Sequence, residues 1–313
     1  MQESVSSSRA APPRSTNREA QPKHSSVLSP FEKASLALAR LANEYPGPKR
    51  LQTRWLRTIT QFWVSRAISR RTLVDHVDPL LDFQPDRGVV LVSNHRSFFD
   101  MYMIMLGLYG SGAEWPERLY FPVRSNFFYE HPAGVAVNFA VGGGAMYPPI
   151  FRDRAKAEHN KDSLERTVRF LQEPGSVVGL HPEGTRNKGD DPYTLLSAQP
   201  GVGQIILASN AIVIPIFING LSNEIVRDVR LNFHPHGFRR EPIIIAYGDP
   251  IDYADLAAKK PRAALYKQMA DRTRSAITEL GERERELRAR CVSGEIAADD
   301  PNWISRRIRG SKA

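Results

Sequence analysis

The chain has 313 residues, 41% of them hydrophobic, enough to bury a sizeable core and too many for a chain disordered throughout. Its net charge of +9 draws anions to the surface, whether nucleic acid, anionic lipid headgroups or phosphorylated metabolites. The single cysteine, Cys291, excludes an internal disulfide and a cysteine-built zinc cluster, which fits a reducing, cytoplasmic setting.

Residues 1–30 are rich in Ser, Pro, Arg and Gln and lack the apolar core of a signal peptide, so they read as a disordered, unsecreted tail. An Ala/Leu-rich helix is expected over 31–45, ended by Pro46, Gly47 and Pro48. From 49 to 74 the chain carries Lys49, Arg50, Arg54, Arg57, Arg66, Arg70 and Arg71 with no acidic residue. Leu51, Trp55, Ile59, Phe62 and Trp63 recur there at helical spacing, which predicts an amphipathic helix lying on an anionic membrane surface; a core helix with a solvated basic face has the same pattern. No apolar run is long enough for a spanning helix, since Ser209, Asn210 and Pro215 break the nearest one.

After Asp86, Arg87 and Gly88 an alternating pattern begins. Strands are expected at 89–92, 119–123, 176–180, 212–218, 229–233 and 243–247, and helices at 98–109, 161–172, 202–209 and 261–290. This predicts an α/β fold: a mixed, mostly parallel sheet flanked by helices, with an N-terminal amphipathic helical extension. Ligands of such sheets bind beyond the carboxyl ends of the strands. His95 and Glu183 both follow expected strands, so both are placed to line one crevice.

Asn94 and His95 precede Asp100 by a few residues. A neutral imidazole can take a proton from an attacking hydroxyl, and a carboxylate on its other nitrogen fixes the tautomer. With Ser97 as N-cap, Asp100 falls at the third helical position, where the helix dipole favours its ionised form. Ser97 to Asp100 also reads as an ordinary capping box. In the second segment, Pro182, Glu183, Gly184, Thr185 and Arg186 turn out of a strand; the glycine admits a ligand close to the backbone, and the guanidinium suits phosphate. A surface turn with an incidental Glu and Arg is the plainer alternative.

Taken together, Asn94, His95 and Asp100, then Pro182 to Arg186, then Val213, Ile214, Pro215 and Ile216 resemble, in that order, three motifs of the glycerolipid acyltransferases typified by bacterial lysophosphatidic acid acyltransferases. The resemblance spans roughly residues 88–220. It implies transfer of a fatty acyl group from a thioester, acyl-CoA or acyl carrier protein, to a hydroxyl of a lysophospholipid or glycerol phosphate. His95 is then the general base, Asp100 its orienting partner, and Glu183 and Arg186 position the acceptor with Asn94, Gly184 and Thr185 beside them. Pro215 would shape a strand beside the acyl pocket. The family's remaining motif supplies an arginine for the acceptor phosphate, matched here by Arg152 or Arg154 after a stretch that is longer than usual and contains Pro148 and Pro149. Two further departures are His181, where an aromatic residue is common, and Asn187, where serine is.

The resulting division is a tail (1–30), a membrane-surface-binding helical extension (31–82), a catalytic α/β domain (83–260), and a C-terminal helix with a basic tail (261–313). No metal or cofactor is expected beyond the acyl carrier as co-substrate; His234 and His236 lack acidic or cysteine partners. Gly142 to Gly144, and Gly201 and Gly203, read as turns or close-approach points. Cys291 follows a charged, solvated helix and reads as a bystander. Arg306, Arg307, Arg309 and Lys312 around Trp303 form either a second membrane contact or a solvated tail. No nucleic-acid recognition module is visible. The expected protein is a cytoplasmic enzyme peripherally bound to membrane; a lipid-binding protein without activity, or a thioester hydrolase using the same dyad, are the alternatives.

Overall fold

The computed structural model describes residues 28–222 and 224–310. Most of the expected tail and Lys312 lie outside the described residues. The chain enters through helix α1 (Pro30–Glu44), which begins with a reciprocal cap: the Ser29 hydroxyl accepts from the Glu32 amide and the Glu32 carboxylate accepts from the Ser29 amide. Pro46 does not simply end this helix. It takes the first position of α2 (Pro46–Trp55), where a missing amide costs nothing. A π-helical turn, Leu56–Thr60, leads into α3 (Gln61–Ile68).

Strand β1 (Thr72–Asp75) lies in the segment expected to be helical up to residue 74, and it joins the main sheet. Then come β2 (Val89–Ser93), α4 (Asp100–Ser111), β3 (Arg118–Tyr120), β4 (Val123–Arg124), α5 (Ser125–Phe128), α6 (Pro132–Gly142), β5 (Pro149–Ile150) and α7 (Ala157–Phe170). The remainder is β6 (Ser176–Leu180), α8 (Pro200–Ser209), β7 (Ile212–Asn219), α9 (Ile225–Phe233), α10 (Gly237–Arg240), β8 (Ile243–Tyr247), α11 (Ala254–Ala257), α12 (Ala263–Ser293) and α13 (Ile304–Gly310).

Six strands form one sheet in the order β1-β8-β7-β2-β6-β3, and every neighbouring pair is parallel except β7 with β8. The sheet is therefore mixed, mostly parallel and flanked by helices, as the alternation predicts. Every residue of β2, β6 and β8 is buried, which explains why these strands read as apolar runs without alternation. Packing is closest where side chains are absent. A Cβ on Gly203 would stand 1.9 Å from the Tyr266 carbonyl oxygen, so that glycine lets α8 lie directly against α12.

Three expectations give way. Residues 229–233 are helical, within α9; Val229, Leu231 and Phe233 alternate, but Asp228 and Asn232 face inward, Asp228 pairing with buried Arg71 and Asn232 bonding the Arg66 carbonyl in the last turn of α3 and the Arg70 amide just past it. Trp303, expected in a basic tail, is buried, bridges to Leu73 and donates its indole N–H to the Ala297 carbonyl, while Arg306 and Arg309 stay exposed. Cys291 is buried instead of solvated, and burial pushes its thiol up to about 11.

Candidate functional site

The parallel strands β6, β2 and β7 set the site. Val92 stands beside Leu180 on one side and Pro215 on the other, so the three chains leave the sheet side by side. A proline in so central a strand is tolerated because the Pro215 carbonyl accepts from Gly248, just past the end of β8; its absent N–H points to that same side.

Asn94 was expected at the substrate, and the structure gives it another task. Its fully buried side chain accepts from the Ile218 amide and donates to the Ile218 carbonyl, both at 2.8 Å, extending the ladder from β2 to β7 by one side chain. His95 follows with its side chain 20% exposed at the mouth. Its Nδ1 lies 3.0 Å from Asp100 Oδ2, and the same oxygen accepts from the amides of Arg96 (2.8 Å) and Ser97 (2.9 Å). Asp100 is the first residue of α4, two positions earlier than capping by Ser97 would place it. The capping and orienting readings thus describe one carboxylate, which closes the turn and holds the imidazole together.

Burial pushes Asp100 up to about 6, against the pull of nearby donors and charges, so it remains a carboxylate at neutral pH. Burial, followed by the charges of Arg186 and Arg124, holds His95 down to about 4. A carboxylate on Nδ1 and a neutral ring leave Nε2 as the basic atom.

Glu183, expected to meet the acceptor, spends both oxygens on backbone. Oε1 accepts from the His95 amide and Oε2 from the Leu196 amide, each at 2.9 Å. Gly184 adopts φ +63°, which suits glycine, and exposes its carbonyl to Arg124 Nη2 at 2.6 Å. Thr185 is half-buried beside it, and the Arg186 guanidinium lies 3.7 Å over the Phe98 ring. Arg152 is exposed, and burial, followed by the charges of Arg152 and Arg186, lowers the pKa of Arg124. Arg154 opens the next helical turn. Arg124, which follows no recognisable motif in the sequence, is the residue that the linear reading missed; its signal is tertiary, a cation at the end of the short strand β4.

His181 takes the aromatic position of the second motif and stacks face to face on His95, ring centroids 3.8 Å apart and planes within 6°. Its Nδ1 lies 3.1 Å from both the hydroxyl and the carbonyl of Ser93. Ligand-type atoms of His95, Asp100 and His181 lie within 4.8 Å of one another. Stacking nevertheless confines the two imidazole lone pairs to parallel planes that cannot meet at one ion, and Asp100 Oδ2 already takes three donors. This is a hydrogen-bonded dyad with a stacked neighbour.

Among the described residues no helix is long and apolar enough to cross a membrane. Around α1 to α3, however, Leu38, Leu41, Tyr45, Leu51, Trp55, Ile59 and Phe62 are all exposed, with Leu51 and Phe62 at 69%.

In shape the chain is similar to the 1-acyl-sn-glycerophosphate (LPA) acyltransferase PlsC from Thermotoga maritima, with 15% identity, a TM-score of 0.45, and coverage of 80% of this chain and 88% of that one. No curated protein matches the sequence. A model of the family described as Acyltransferase matches residues 74–219, a span that holds His95, Asp100, Arg124, Arg152, Glu183, Arg186 and Pro215. Residues 74–219, just under half of the chain, thus make up a domain similar to the acyltransferase family.

Proposed function

We propose that the protein moves a fatty acyl group from a thioester, acyl-CoA or acyl carrier protein, to a hydroxyl of a lysophospholipid or glycerol phosphate at an anionic membrane surface. The observation that carries this reading is the His95–Asp100 pair opening beside three arginines, Arg124, Arg152 and Arg186. His95 Nε2 takes the proton of the acceptor hydroxyl as its oxygen attacks the thioester carbonyl. The carbon–sulfur bond then breaks, the acyl ester remains on the acceptor, and the proton passes from His95 to the departing thiolate. Asp100 steadies the imidazolium between these events. The arginines complement a phosphate that anchors the acceptor, and planar guanidinium forks suit its oxygens. No covalent acyl-enzyme is required, and the one cysteine is buried in α12.

The exposed apolar row along α2 and α3, flanked by the arginines of that segment, supports delivery at a membrane. Labelled acyl-CoA incubated with a panel of lysophospholipids and glycerol phosphates tests the reaction. Transfer to a phosphate-bearing acceptor is expected, with His95→Ala slower by roughly 10²–10⁴-fold. Release of free fatty acid with no acylated acceptor would make the protein a hydrolase, and unchanged transfer in the variant would remove His95 from the mechanism.

A further inference from the structure

The segment 187–199, between β6 and α8, takes no part in the chemistry above, yet it holds the backbone of His95 from both sides. Glu183, just before it, receives the His95 N–H, and the Asn187 N–H donates to the His95 carbonyl at 2.7 Å. The segment is cross-tied to itself: Glu183 also receives the Leu196 amide, and Asn187 Nδ2 donates to the Thr194 carbonyl at 2.6 Å. Arg96 adds a bond from Nη1 to the Gly189 carbonyl at 2.7 Å.

The outer end of this strap is fastened to α12. The Tyr193 hydroxyl donates to Glu284 Oε2 at 2.7 Å. Glu284 is fully buried, and its other oxygen accepts from Arg288 Nε and Nη2. The Tyr193 ring stacks on Phe217 of β7, 5.7 Å between centroids and 3° between planes, and the Arg285 guanidinium covers it at 4.1 Å. A buried carboxylate needs its donors, so Glu284 fixes where Tyr193 lies. Tyr193 in turn fixes the strap, and the strap fixes the two backbone groups of His95.

We infer that Tyr193 and Glu284 are positioning residues for His95, and that α12 reaches the base through them although it lies outside the matched span 74–219. The inference rests on the reading of His95 as general base. Displacing a catalytic group by about 1 Å through a remote change can cost up to about 10²-fold in rate.

Tyr193→Phe removes one hydroxyl and keeps the ring between Phe217 and Arg285, while Glu284 keeps Arg288. With the acyl-CoA and acceptor pair found active above, kcat is expected to fall roughly 10-fold to 100-fold with KM within about twofold. Glu284→Gln should behave alike, and the double variant should lose no more than either alone. Hydrogen exchange, read without substrate, should rise at the His95 amide and across 187–196 in Tyr193→Phe while α4 and α8 keep their protection. Unchanged exchange at His95, or a lowered melting temperature with wild-type kcat, overturns the inference. Activity surviving in His95→Ala would instead overturn the base assignment, and the exchange experiment still decides whether the strap holds that backbone.

Discussion

The loop that carries His95 and the helices that precede the sheet reverse the usual placement of polar and apolar groups. At the loop, Ser93, Asn94, Ser97 and Asp100 are buried, and Asn94 and Asp100 reach backbone partners. On α2 and α3, Leu51 and Phe62 stand in water. The inner face of the same helices buries Lys49, whose Nζ donates to Asn43, Gln52 and the Leu119 carbonyl and lies 3.6 Å over the Tyr120 ring. In these two regions burial follows the satisfaction of hydrogen bonds more closely than it follows residue polarity. The buried polar groups hold geometry; the exposed apolar ones keep in reserve about 1.5–3 kcal/mol each for transfer to an apolar medium.

The sharpest way to break this contrast is at Asp100. Asp100→Asn offers one oxygen where three donors converge and no longer selects the reactive tautomer, so kcat should fall on the order of 10²–10⁴-fold in steady-state assays. Protonation tests the same group more gently. In the wild type, activity should decline as pH falls through about 6, because Asp100 then gains a proton and stops orienting the ring. The variant should lose that limb and keep only a fall near 4, where His95 itself is protonated; an unmoved limb would assign it to another group.

Next in size is the polar contact inside the helical extension. Lys49→Met leaves Gln52 Oε1 and the Leu119 carbonyl without their donor, and urea denaturation should show a loss of roughly 2–4 kcal/mol. A neutral result would mean that Lys49 is worth no more than a buried apolar chain. The smallest effect belongs to the outer face: Leu51→Ser and Phe62→Ser should each weaken partition to anionic vesicles about tenfold. Activity on detergent-dispersed acceptor should stay intact. If vesicle binding persists in the double variant, the apolar row is not the membrane contact.

The central strands and the order of the motifs were legible because a strand buried on both faces must be a continuous apolar run, and 89–92, 176–180, 212–218 and 243–247 are such runs. Strand β1 was hidden because Arg71, just before it, is buried through partners far along the chain, Asp228 and the carbonyls of Gly220 and Glu241. The alternation of 229–233 misled for a related reason: Asp228 and Asn232 are the inward residues of α9, and a hydrophobic pattern does not register a buried polar face. His95 and Asp100 were legible as a pair because they stand five positions apart in one turn. Arg124 was not, since its proximity to Arg186 arises only after folding. The partners of Glu183 were not legible either: a carboxylate in a motif looks like a ligand for substrate, while both of its oxygens accept from main-chain amides.

The order β1-β8-β7-β2-β6-β3 also separates two parts of the site. His95, Asp100 and the strap spring from the ends of β2 and β6, which neighbouring strands lock in register. Arg124 and Arg152 ride on the long excursion between β3 and β6, tied down by the two-stranded ribbon of β4 and β5. That excursion begins and ends on adjacent strands, so its two arginines come to His95 and Asp100 on chain that the central strands do not themselves hold in register.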